Sequence, residues 1–205
     1  MLQRILTATR KLVITFACTC AVSLLAGCAG MNATPIMPPI ERPTRASIDA
    51  FSLDGRISIR EGERRNAANI FWQHAPDRDE MLFSTPLGQG LAELTRDAGG
   101  AHLRLADHRE FAAADWEGLA RQLFGVSLPL SALPRWVIGA ALQGSADKGA
   151  SDAAGRPQWR LIDGWRIDYR DYESSATNAL PTLIELRRDA DDIEMRIKVD
   201  TWTIP

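Results

Sequence analysis

The side chains able to do chemistry in this chain are few and poorly spaced for it. His74, His102 and His108 form no His-x-x-x-His pattern, the spacing that brings two ligands onto one metal. No Gly-x-Ser-x-Gly elbow presents a nucleophilic serine. Gly88-x-Gly90-x-x-Glu93 has a glutamate where a dinucleotide fingerprint has its third glycine, and it does not join a strand to a helix. Asp77, Asp79 and Glu80, like Asp191-Asp192, fall in segments that read as turns, where carboxylates are expected to be solvated. The sequence therefore predicts no catalytic residue, no metal and no cofactor.

One spacing does point to chemistry, and it is a covalent modification. Arg4, Arg10 and Lys11 precede the fifteen-residue apolar run Leu12 to Ala26, which is followed by Gly27, Cys28 and Gly30. The run is shorter than the roughly 20 residues of a spanning helix and has the charge and small-residue flanks of a secretory signal peptide. Leu25-Ala26-Gly27-Cys28 has the form of a bacterial lipoprotein box, in which cleavage leaves the cysteine first and acylated. Residues 1–27 are thus predicted to be a signal peptide and Cys28 a palmitate-type lipid anchor. Cys18 and Cys20 leave with the signal, so no internal disulfide remains and the fold must rest on its core. Without Arg4, Arg10 and Lys11, 21 of the 24 basic residues remain against 26 acidic ones, a net charge of −5. Nucleic acid is a poor partner for such a chain. Residues 28–45, with Pro35, Pro38, Pro39 and Pro43, read as the acylated cysteine and a flexible tether. Ala29 in place of Asp after the cysteine favours the outer membrane over the inner one.

The elements that must position any function lie in residues 46–205. A short helix is expected near Ala46 to Ala50. Alternation predicts strands at Phe51 to Arg60, with Phe51, Leu53, Ile57 and Ile59 on one face, and at Asn66 to His74, with Ala68, Ile70 and Trp72 opposite Phe71. Met81 to Ser84 and Leu91 to Arg96 bracket the loop Thr85-Pro86-Leu87-Gly88-Gln89-Gly90. There a leucine sits at a turn between a proline and two glycines. A further strand follows at His102 to Leu105. Asp115 is placed to cap a helix from Trp116 to about Phe124, and a second helix is expected at Ser131 to Ile138, with Pro134 in its first turn. Residues 140–157 read as a mobile surface loop. Strands close the chain at Gln158 to Ile162, Trp165 to Tyr172, Leu183 to Arg188 and Asp192 to Ile204; in the last, Ile193, Met195, Ile197, Val199 and Thr201 alternate with charged residues. Ten or eleven antiparallel strands with two mid-chain helices imply one strongly curved sheet whose concave face the helices cover. The six tryptophans, Trp72, Trp116, Trp136, Trp159, Trp165 and Trp202, fit either a packed core or the walls of an apolar cavity.

The chain resembles the LolB family of outer-membrane lipoprotein receptors. The likeness is carried by Leu53-x-Gly55-Arg56, Phe71-Trp72-Gln73, Thr85-Pro86-Leu87-Gly88 and Gly125-x-x-Leu128-Pro129-Leu130-x-x-Leu133-x-x-Trp136-Val137-x-Gly139. Gly164-Trp165, Tyr169, Tyr172, Leu180-Pro181 and Ile197-Lys198-x-x-x-Trp202 continue it. The resemblance implies an incompletely closed antiparallel β-barrel with a helical lid over an apolar cavity. It also implies a monomeric receptor that takes acylated lipoproteins from a periplasmic, LolA-like carrier and inserts them into outer-membrane lipid. Pro86, Leu87 and Gly88 would then form the membrane-insertion loop. Trp72, Phe83, Leu128, Leu130, Trp136, Trp165 and Trp202 are the candidates for lining the acyl-chain cavity. The competing expectation is a non-catalytic lipoprotein that binds another lipid or supports an envelope assembly.

Overall fold

In the computed structural model, residues 43–124, 128, 130–140 and 148–205 are described. The signal peptide, Cys28 and nearly all of the tether expected from the sequence lie outside these residues. Eleven strands form one antiparallel sheet: β1 (Phe51–Glu61), β2 (Arg64–Ala75), β3 (Arg78–Ser84), β4 (Gly90–Asp97), β5 (Gly100–Leu105), β6 (Glu110–Ala113), β7 (Lys148–Ser151), β8 (Pro157–Ile162), β9 (Trp165–Tyr172), β10 (Pro181–Arg188) and β11 (Ile193–Thr203). The spatial order is β6-β5-β4-β3-β2-β1-β11-β10-β9-β8-β7. The first and last strands in sequence therefore pair at the centre, and two four-residue strands, β6 and β7, form unjoined edges. Short edges offer little template for pairing with another chain.

Helix α1 (Trp116–Phe124) follows β6, and the five-residue helix α2 (Leu133–Val137) follows α1. Asp115 caps α1 as expected, its carboxylate accepting from the Gly118 N–H at 2.6 Å. Glu117 then ties the two helices, accepting from the Ser131 backbone N–H at 3.0 Å and its hydroxyl at 2.7 Å. The second helix is shorter than predicted. Residues 130–132 form a turn instead, and Pro134 occupies the first helical turn. The short helix expected near residues 46–50 is a 3-10 turn at Arg45–Ser47.

Alternation in the strands sends one set of side chains into a single buried cluster built from β1, β2, β3, β5, β8, β9, β10, β11 and the helices. The strict alternation predicted for the last strand breaks at one point. The register between β1 and β11 shifts at Asp54/Gly55, so that Gly55 faces Val199 while Leu53 faces Trp202. The bulge turns Thr201 out to solvent and Trp202 inward, correcting the expectation that Thr201 shares a face with Val199. Gly55 is required there because a methyl group on it would stand 2.1 Å from the Lys198 carbonyl oxygen. Two strands were not anticipated. β6 was missed, and β7 with the start of β8 lies in the stretch predicted to be a loop. The four-residue β7 pairs Lys148–Ser151 with β8 across a register shift. Of that stretch, residues 141–147 lie outside the description.

Candidate functional site

The turn after Gly62, the loop between β3 and β4, the Asp163-Gly164 turn and the 3-10 turn Asp189–Asp191 all fall at one end of the sheet. The chain enters the sheet at the opposite end. At the first end stands Leu87, with 92% of its surface exposed. Its loop is braced. The Gly88 N–H donates to the Thr85 carbonyl at 2.9 Å, closing a four-residue turn with Pro86 and Leu87 at its corners. The Thr85 N–H donates to the Gln89 carbonyl at 2.8 Å, and the Gln89 N–H to the Thr85 hydroxyl at 3.1 Å. The Asn69 side-chain amide donates to the Thr85 carbonyl at 3.1 Å, fixing the loop to β2. Gly88 has φ +84°, a conformation that favours glycine. A methyl group there would meet no atom within 4 Å, so its constraint is one of backbone conformation alone. The result is a leucine held out from the protein with its loop entropy already removed.

The concave face changes character across the sheet. On β9, β10 and β11 it is closed at both ends, with Trp165, Leu186, Ile193 and Met195 buried toward the Leu87 end, and at the chain-entry end it is closed on β1 and β2 as well. The Phe51 ring lies edge-on to Trp72 at 5.1 Å and to Trp202 at 5.3 Å, and the Trp202 indole donates to the Pro181 carbonyl at 2.9 Å. Trp136 of α2 lies 6.3 Å from Trp165, and the Tyr169 hydroxyl donates to the Trp136 carbonyl at 2.9 Å, holding the helix to β9. Toward the Leu87 end and the β6 edge, apolar side chains of the same face are only partly covered: Ile59, Ala68, Phe83, Leu94, Leu103 and Phe111. Of the seven residues proposed from the sequence to line a cavity, Trp72, Leu128, Trp136, Trp165 and Trp202 are buried in the core cluster. Phe83 and Leu130 reach solvent. Two buried indole N–H groups, those of Trp116 and Trp136 on the helices, have no hydrogen-bond partner.

Sequence reasoning missed a buried polar cluster at the chain-entry end. Asp79 was expected to be solvated in a turn. It lies instead in β3, 1% exposed. One carboxylate oxygen accepts from the Trp72 indole at 2.9 Å and the His74 Nδ1–H at 2.7 Å, and the other from Arg96 Nε at 2.7 Å. Burial by itself raises the Asp79 pKa, but the hydrogen bonds from His74, Trp72 and Arg96 outweigh it and hold the carboxyl below its ordinary value. The Arg96 guanidinium in turn lies over the Trp116 ring at 5.9 Å, linking sheet to helical cover. The available signal was the inward register of Asp79, two residues before the buried Met81. No group of three or more His, Cys, Asp or Glu able to hold a metal occurs among the described residues.

The outer face of the sheet carries a groove of about 990 Å³ beside the Leu87 loop, walled by Pro86 and Gly88 and floored in part by Phe71, Leu82 and Leu91. Leu82 and Leu91 are 40% and 39% exposed.

The family described as "Outer membrane lipoprotein LolB" matches residues 49–202 of the chain. A protein of Azoarcus sp. (strain BH72) named Outer-membrane lipoprotein LolB is 36% identical over 196 residues, covering 95% of this chain and 97% of that protein. One of the same name from Dechloromonas aromatica (strain RCB) is 33% identical over 192 residues, covering 91% and 96%. Another from Chromohalobacter salexigens is 37% identical over 166 residues, covering 78% and 77%.

Proposed function

The chain belongs to the LolB family of outer-membrane lipoproteins, and from that premise we propose that it receives acylated lipoproteins from a periplasmic, LolA-like carrier and inserts them into the outer membrane. Three sixteen-carbon chains released into water would expose some tens of kcal/mol of apolar surface at roughly 0.8 kcal/mol per CH₂. Free diffusion is therefore closed to such cargo. The receptor must take the chains directly onto its own apolar face, more strongly than the carrier holds them and less strongly than the bilayer does. A descending order of free energies drives the transfer, and no nucleotide enters it.

In this reading the partly covered side chains around Phe83 are the first to meet the acyl chains. Trp72, Leu128, Trp136, Trp165 and Trp202 become lining as the helices part from the sheet, and Leu130 marks the rim where they part. Residues 1–27 are removed, Cys28 carries the acyl anchor, residues 29–45 tether the domain 46–205, and the protein works as a monomer. The observation that carries the reading is Leu87, 92% exposed on a braced turn at the same end of the sheet as the open part of the concave face. Burying one leucine contributes only about 1.5 to 3 kcal/mol, too little to anchor the protein but enough to aim the open end at lipid.

The test is Leu87→Glu. With nothing packed on this side chain, stability in urea should stay within about 0.5 kcal/mol of the parent, and carrier-loaded lipoprotein should still pass to the variant. Incorporation of that labelled lipoprotein into outer-membrane vesicles should fail. Incorporation at the parent rate would remove the role given to Leu87.

A further inference from the structure

Phe71 belongs to the sequence motif Phe71-Trp72-Gln73, yet it points away from the apolar face that Trp72 serves. It pairs across strands with Leu82, and both line the outer groove with Leu91. Elsewhere the outer face of this sheet is a lattice of ion pairs: Arg60 with Glu194, Arg170 with Glu185, and Arg166 with Asp168. Phe71, Leu82 and Leu91 interrupt that lattice with apolar surface. Clustered exposed apolar side chains on an otherwise charged face mark a contact surface.

We propose that this outer patch is a second membrane contact, and that the protein seats on phospholipid through Phe71, Leu82 and Leu91 together with Leu87, with the lipid tails as occupant of the groove. The inference rests on the reading of Leu87 given above and extends it from one side chain to a surface. Continuity argues for lipid. Pro86 and Gly88, the neighbours of Leu87, are walls of this groove, so the loop borders the outer patch directly. A bilayer that accepts Leu87 to its full length also meets the groove. Charge argues the same way. Arg56 is paired with Asp200, and Arg104 with Glu93, so the flanking guanidinium groups are already neutralised. Their long stems can lie against the interface while the paired heads stay wet. Such a rim has no dependence on anionic headgroups, and the contact should form equally on zwitterionic lipid.

The test uses the mature acylated protein reconstituted in phosphatidylcholine vesicles whose acyl chains are brominated or not. A single cysteine replaces Leu82, Leu91, Leu87 or Leu161 and carries an environment-sensitive fluorophore. Leu161, on β8, is 39% exposed and outside the patch, so it controls for exposure alone. Loss of emission on bromination at 82 and 91 as well as at 87, with none at 161, is the expected result. Loss at 87 alone overturns the patch and leaves the insertion loop standing. Loss at none of the four positions overturns both. A change at 82 that comes only when loaded carrier is added overturns the lipid contact in favour of protein docking. As a second measure, Leu82→Glu in the unlabelled protein should slow incorporation of lipoprotein into vesicles while uptake from the carrier is unchanged; parental incorporation would again count against the patch.

Discussion

Asp79 shows how much a single side chain can organise. Its carboxylate is taken out of water and given back three donors, from two strands of the sheet besides its own. Removing one member of such a buried charged set leaves the others uncompensated, at about 3 to 5 kcal/mol. Asp79→Ala should lose stability on that scale in urea unfolding. The pH dependence follows from the depressed pKa. Between the lower folded value and the unfolded value of about 3.9, the unfolded chain binds more protons than the native one, so stability rises with pH there. The contribution is complete above the unfolded value and is lost as pH falls through the folded one. In acid titration followed by tryptophan fluorescence, the parent should lose stability below about pH 4 more steeply than Asp79→Asn. Equal slopes would mean that the carboxylate is not held in its charged form. Leu87 is the opposite case, a side chain that packs on nothing, so Leu87→Glu should leave folding unchanged and the proposed role in insertion can be read apart from stability.

Among the elements, the pairing of β1 with β11 is the seam on which the sheet's curvature is set. The bulge opposite Gly55 reverses which side chains of β11 face inward, delivering Trp202 to Phe51. Gly55→Ala puts a carbon where the Lys198 carbonyl stands and must spread the two central strands. Destabilisation of about 1 to 3 kcal/mol, with loss of near-ultraviolet dichroism from the Trp202 environment, is the expected outcome. Most strands were legible because apolar residues recur at every second position, and α1 because Asp115 is placed to cap it. Glu110–Ala113 and Lys148–Ser151 were not, since runs of four residues, the first with Phe111 as its one large apolar side chain and the second with none, are too short to show alternation and become strands only through the partners beside them. The apical leucine was visible from its proline and glycine neighbours. The Asp79 cluster was hidden because its carboxylate follows Pro76 and Asp77, which do form a turn, and only the register of β3 places it inside. The outer groove was half visible: Phe71 was read on the face opposite Trp72, but that Leu82 and Leu91 join it depends on strand pairing.

At the scale of the molecule, among the described residues, the helical cover is held to the rest of the fold by few polar links. Tyr169 holds α2 through one carbonyl, Arg135 reaches the carbonyls of Ala46 and Ile48, and Arg96 lies over Trp116. The two unpartnered indoles on these helices each cost about 1 to 3 kcal/mol when buried without a partner, so the covered state is held below its best. Tyr169→Phe keeps the ring and removes one link. Amide exchange in α2 should quicken, reflecting about 0.5 to 1.5 kcal/mol, while the amides of β1 and β11 stay protected. Unchanged exchange in α2 would mean that this hydrogen bond does not hold the helix to β9.

The two unjoined edge strands carry a further consequence. A closed barrel has a girth fixed by its strand number and stagger. A sheet ending in β6 on one side and β7 on the other has no such fixed girth. Its rims can spread or draw together by small changes of twist distributed over eleven strands, with every ladder between them intact. Cargo differing in the number or length of its tails can thus be met by one protein through a change of gape, with no need for a separate receptor for each.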